Sequence, residues 1–239
     1  MEYRPGSKVA GYAGILADHA DRIATYAHVA LFDDDIETDA PAIAALFDIA
    51  SRNGFRICQP SLTLDSNFSY AAFLQNRYFV LRHINFIEMM CPIFRSDVLL
   101  SLRRLFEMGF ESGIDLAWCS LGSPAPTDHA VIDAIAVRHT RRVAGEAARN
   151  GFHGGRSYET DIQAVLTRFD LPWFPCRPFD GIRPSGAEVS GRMCLIFAAF
   201  AVVPAIWRCR DDDWRTRLRG VAVHFKHLAT ARGRAGSVS

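Results

Sequence analysis

Apolar residues recur at helical spacing over residues 9–26, where Val9, Tyr12, Leu16, His19 and Ile23 share a face, and the apolar run 27–32 follows as a strand. Asp39 and Pro41 open a second helix, carried by Ile43, Leu46, Phe47 and Ala50 and stopped by Gly54. Residues 55–58 then read as a strand ended by Pro60. Over 61–77 the chain is rich in Ser, Asn and Asp without a clean period, which predicts a long loop. Residues 83–95 alternate and then turn apolar, as in a strand that Pro92 interrupts at an edge or a bulge. Ser96 caps a helix through Leu99, Leu100, Leu102, Phe106 and Met108, ended by Gly109. A Gly-containing turn at 111–113 leads into a short helix with Asp115, Leu116, Trp118 and Cys119, and 130–139 is a further strand.

Strands alternating with helices predict an α/β protein with helices packed on the faces of a sheet. Beyond about residue 141 the pattern changes. Gly151, Gly154 and Gly155 mark a flexible stretch, Ile162, Val165, Leu166 and Phe169 line a helix, and a Pro-rich connection spans 172–184. Two helices are predicted at 191–208 and 211–232, the second with Trp214, Leu218, Val221, Phe225 and Leu228 on one side. The expected organisation is an α/β core over 1–145 and a mostly helical extension over 146–239 packed on it.

Composition leaves this picture unchanged: with 49% hydrophobic and 22% charged residues, the chain is ordinarily globular rather than disordered. A net charge of +1 argues against nucleic acid as a partner. Cys58, Cys91, Cys119, Cys176, Cys194 and Cys209 include no CxxC pair, and the expectation is buried thiols in a reducing, cytoplasmic compartment. The apolar run 193–207 is too short to span a bilayer and contains Pro204.

Three consecutive acids, Asp33, Asp34 and Asp35, follow the first strand. Open α/β sheets bind ligands at the carboxyl ends of their strands, and hard carboxylates there can hold Mn²⁺ or Mg²⁺ beside phosphate oxygens. A solvated turn is the plainer alternative. The chain carries its own control at Asp211, Asp212 and Asp213, which read as acids complementing the start of a helix. His139 ends a strand, as a third metal ligand or as a surface residue among Arg138, Arg141 and Arg142; those arginines can instead neutralise a diphosphate. Asp115 is either a helix cap or a general base. Glu88, inside an apolar stretch, needs a partner or a cleft to face. Trp118 is a platform for a sugar ring or a core residue. His153 and Arg156 belong to a mobile lid or an exposed loop.

Read together, LFDDDIETD at 31–39, FIEMMCPIFRSD at 86–97, GIDLAW at 113–118 and VIDAIAVRH at 131–139 resemble, in order, the glycosyltransferase-like family known as domain of unknown function 707. The resemblance covers about 27–145. It implies a glycosyltransferase-A-like mixed sheet with flanking helices, in which an Asp-x-Asp motif, matched by Asp33 and Asp35, binds Mn²⁺ or Mg²⁺ and a nucleotide-sugar donor. Asp34 and Arg138 would join them on the donor, Glu88 and Trp118 would meet a carbohydrate or other hydroxyl acceptor, His139 would complete the metal set and Asp115 would be the base. About thirty residues precede the triplet, where that fold places further strands, so the core is expected to lack its first strands.

The activity implied is metal-dependent transfer of a sugar from a nucleoside diphosphate to a hydroxyl. A non-catalytic carbohydrate- or partner-binding remnant of the same fold is the competing expectation. Residues 193–207 with Arg208, Arg210, Arg215, Arg217 and Arg219 further suggest peripheral contact of the C-terminal helices with the inner face of a membrane.

Overall fold

In the computed structural model of the protein, the described residues are 6–122, 124–141, 157–173, 175–208 and 214–230. Helix α1 (Lys8–Asp18) is capped by Ser7, whose hydroxyl accepts from the amide of Ala10, and the single turn α2 (Ala20–Ile23) follows. The predicted single helix over 9–26 is therefore two, broken at His19. Strand β1 (His28–Ala30) leads through the aspartate turn to β2 (Ile36–Glu37), and α3 (Ala40–Asn53) is capped by Asp39 and stopped by Gly54 at φ 64°, as predicted.

Strand β3 (Ile57–Leu62) is buried along its whole length and does not end at Pro60. Proline fits inside this strand because the β5 pairing involves only Ile57 and Cys58, and the β6 ladder shifts register between Pro60 and Ser61. The loop predicted over 61–77 thus loses its first two residues to β3, and it also contains a short 3₁₀ turn (Ala71–Phe73).

The strand expected at 83–95 is two strands, β4 (Leu81–Ile84) and β5 (Ile93–Arg95), lying on opposite sides of the β3–β6 pair and joined by a crossing segment at 85–92. The helix expected from Ser96 divides at Leu102 into α4 (Ser96–Ser101) and α5 (Arg103–Glu107). Next come α6 (Ile114–Trp118) and the long β6 (His129–His139).

Helix α7 (Tyr158–Arg168) carries the predicted apolar face. The Pro-rich stretch after it is not simply a connection: β7 (Pro178–Ile182) pairs with β4, and β8 (Glu188–Ser190) pairs with β7. Helices α8 (Gly191–Val202) and α9 (Trp214–Ala229) finish the described chain, with a 3₁₀ turn (Val203–Ile206) after α8. Of the predicted apolar side of α9, Val221 and Leu228 face inward together with Arg217 and His224, whereas Trp214, Leu218 and Phe225 are exposed.

The protein is an α/β protein with a mixed eight-stranded sheet flanked by helices. Its order is β1-β5-β3-β6-β4-β7-β8, with β2 added to the end of β6; among the strands of the described residues only β3 and β6 are parallel neighbours. The sheet runs across residue 145, because β7 and β8 extend it through β4. Since β1 and β3 both oppose β5, the strands β1, β3 and β6 point the same way, and their carboxyl ends face one edge of the sheet.

Candidate functional site

A cavity of about 240 Å³ opens at that edge, lined by Lys8, Asp33, Ser69, Tyr70, Glu88, Met89, Met90, Asp115, His139 and Tyr158. Four of the residues singled out in the sequence meet here: Asp33 from the end of β1, Glu88 from the crossing segment, Asp115 from α6 and His139 from the end of β6. Local structure fixes each. The amides of Leu31 and Asp33 donate to the carbonyls of Pro92 and Met90, so the crossing segment continues the β1–β5 ladder up to the aspartates. The amide of Glu88 donates to Gln59 Oε1 of β3 at 3.2 Å. Gly113, at φ 77°, starts α6 where a Cβ would stand 2.9 Å from the Ile162 Cα of α7, so only glycine allows Asp115 and Tyr158 to face the same space.

The aspartate triplet is a tight turn, not an extended segment with Asp33 and Asp35 side by side. The amide of Ile36 donates back to the carbonyl of Asp33, and that of Thr140 to the carbonyl of Asp35. The three carboxylates consequently separate. Asp33 pairs with the Lys8 ammonium, which also donates to the carbonyl of Met89. Asp35 meets His139 Nε2 at 3.1 Å, and Asp34 is exposed beside Arg141.

Burial dominates the electrostatics. It holds Asp33 above the usual carboxylate range, against the pull of Lys8. Asp115 is raised to about 6 by desolvation, moderated by backbone hydrogen bonds that include the amide of Leu116 at 3.1 Å. Glu88, 4% exposed, is raised to about 8 by desolvation and then by Asp115, and its Oε1 has no hydrogen-bond partner. Burial likewise raises the phenol of Tyr70, and Tyr158, 43% exposed, adds a second phenol to the lining. At neutral pH the cavity therefore presents ionised Asp115, largely protonated Glu88 and two phenol donors.

Besides Asp34 and Asp35, which do not line the cavity, two further expected site residues lie elsewhere. Trp118 is 1% exposed, packed edge-on to Phe94 with its indole N–H on the carbonyl of Ile87 at 3.0 Å, so no face is open to a sugar. Arg138 points to the opposite side of β6 from His139 and is held by Glu37 at 3.0 Å and Asp65 at 3.3 Å, away from any diphosphate in the cavity. Arg142, His153, Arg156 and the second triplet, Asp211, Asp212 and Asp213, lie outside the described residues.

The metal set Asp33, Asp35 and His139 has suitable donors for Mn²⁺ or Mg²⁺, and Asp35 Oδ1 is a buried carboxylate oxygen without a partner. It does not close into a ligand group. Among the described residues no three His, Cys, Asp or Glu side chains are gathered closely enough to hold an ion, because Asp33 is turned to Lys8 and Asp35 to His139.

The sequence reading missed Lys8, Ser69, Tyr70 and Tyr158. Lys8 carried one signal: Lys8 and Lys226 are the only lysines in a chain whose other cations are arginines. Compared with known proteins, the chain matches no family model, no curated protein and no solved structure.

Proposed function

We propose that the cavity transfers a sugar from a nucleoside-diphosphate donor to a hydroxyl acceptor. One observation carries this reading: four segments distant in sequence, the blocks at 31–39, 86–97, 113–118 and 131–139, each deliver an ionisable side chain to the same small space at the carboxyl edge of a sheet. Asp115 is the general base. Its carboxylate takes the acceptor hydroxyl proton as the acceptor oxygen bonds to the anomeric carbon, and the diphosphate departs with the electrons of the broken C–O bond. Protonated Glu88 and the phenols of Tyr70 and Tyr158 donate to oxygens of the bound sugar. The volume suits a sugar ring or a diphosphate, being below the roughly 300–1,000 Å³ of pockets for whole drug-sized ligands. Asp33 and Asp35, turned to Lys8 and to His139, form no ligand group for a divalent ion among the described residues, and no step here depends on one.

The test is release of nucleoside diphosphate from UDP- and GDP-sugars with a panel of hydroxyl acceptors, with and without Mn²⁺. Asp115→Asn is expected to lower the rate by about 10²–10⁴-fold. The wild-type rate should rise with pH through about 6 as Asp115 ionises. A folded wild type that releases nothing from any donor but binds sugar saturably would replace this reading with the non-catalytic carbohydrate-binding one.

A separate observation supports peripheral membrane contact. Met193, Ile196 and Phe200 form an exposed stripe along α8, Trp207 is 74% exposed, and Trp214, Leu218 and Phe225 form a second stripe on α9 with Arg215, Arg219 and Lys226 beside it. Arg217 does not contribute, since it is buried against the carbonyls of Ala205, Ser66 and Leu64. No helix among the described residues is long and apolar enough to cross a membrane.

A further inference from the structure

The cavity is acidic, yet a nucleoside-diphosphate donor brings negative charge into it. Asp33, Glu88 and Asp115 line the space, and Lys8 is the one Lys or Arg side chain among the described residues that does so. Arg138 and Arg141, the cations next to His139, are held by Glu37 and Asp65 and by Asp34 respectively. Lys8 is delivered by a docked element. Ser7 caps α1 and donates to Glu111, Val9 and Leu16 are fully buried, and Tyr12 packs edge-on to Phe106 of α5. An ammonium has three N–H donors, and the hydrogen bonds to Asp33 and Met89 use two. Its side chain is 29% exposed and lines the cavity. Independently, the unpartnered Glu88 Oε1, deeply buried in the same wall, is a polar atom left for a ligand.

We propose that Lys8 is the diphosphate-binding residue of this site, its ammonium fixed by Asp33 and the Met89 carbonyl and its remaining N–H directed to a pyrophosphate oxygen. This rests on the donor reading above and names the group that receives the donor's charge. Asp33 has two effects on Lys8: it positions the ammonium and competes with the incoming anion. Arginine at position 8 would keep the charge but not the compact three-donor geometry.

Calorimetric titration of the whole chain with inorganic pyrophosphate, in EDTA so that no metal bridges the ligand, separates these effects. Wild type is expected to bind saturably, Lys8→Met about tenfold or more weakly, and Lys8→Arg in between. Asp33→Asn is expected to bind several-fold more tightly, a gain that a misfolded variant cannot produce. Pyrophosphate binding to Lys8→Met as tight as to wild type, no binding by wild type, or weaker binding by Asp33→Asn would each overturn the assignment. The two readings also fail separately. Lys8-dependent pyrophosphate binding without sugar transfer leaves Lys8 standing and removes the transferase, whereas sugar transfer with unaltered binding in Lys8→Met does the reverse.

Discussion

Two of the places where this protein buries ionisable groups do so in opposite ways. Arg82 and Asp133, 1% and 2% exposed, form a two-armed pair at 2.6 and 2.9 Å. Two further Arg82 donors reach the carbonyls of Ala72 and Leu74, and Asp133 also accepts the amide of Asn76, so the loop before β4 is tied to β6. At the candidate site, by contrast, Glu88 Oε1 in the cavity wall and Asp35 Oδ1 beside His139 are buried without hydrogen-bond partners. A satisfied buried pair specifies structure, while a buried carboxyl oxygen without a partner is not accounted for by the fold alone.

The comparison breaks most visibly at the satisfied pair. Arg82→Met leaves Asp133 as an uncompensated buried charge, and urea unfolding should show a loss of about 3–5 kcal/mol. Arg82→Met combined with Asp133→Leu should lose less than the single change. Gly113→Ala comes next: the positive φ and the Ile162 backbone give a cost of roughly 1–3 kcal/mol, with sugar transfer falling further than stability because Asp115 and Tyr158 are displaced.

Glu88 sharpens the contrast through pH. Its folded pKa of about 8 lies above its ordinary value of 4.5, so between those values the native state keeps a proton that the unfolded chain has lost. This stabilisation is complete below the lower value and is lost as pH rises through about 8, with a slope of at most about 1.4 kcal/mol per pH unit. Asp115 and Asp33 push in that direction, Lys8 and Ser69 against it. Glu88→Gln should flatten stability between pH 6.5 and 8, measured by denaturant unfolding across that range; an unchanged slope would mean that Glu88 is already ionised. The smallest effect is expected at Trp207→Ser, within about 0.5 kcal/mol of wild type as for other exposed positions, while flotation with anionic vesicles decreases.

Much of the sheet was legible because its strands are bounded by strong local signals: the aspartates after β1, Gly54 before β3 and the apolar alternation of β6. The same signals exposed Asp33, Glu88, Asp115 and His139, since a carboxylate or imidazole at the end of an apolar run needs an explanation. What stayed hidden depends on distant partners. Pro60 looked like a terminator because the register shift that accommodates it belongs to the β3–β6 pairing. Residues 178–190 looked like a connection because β7 and β8 are short and Pro-flanked, and their strand character comes from pairing with β4 and with each other. Periodicity put Trp214, Leu218 and Phe225 on one side of α9 with Val221 and Leu228, but only the last two are buried, because Arg217 and His224 share the inward face, Arg217 with three carbonyls satisfying its guanidinium.

The placement of β4 between β6 and β7 also dictates how the chain can be made. A nascent chain emerging from the ribosome has the segments for β1 to β6 well before it has residue 178, and until then β4 is an open edge able to pair with a neighbouring chain. Synthesis of the last quarter therefore closes a surface prone to aggregation, and chains that stall before it are the ones that chaperones would have to shield.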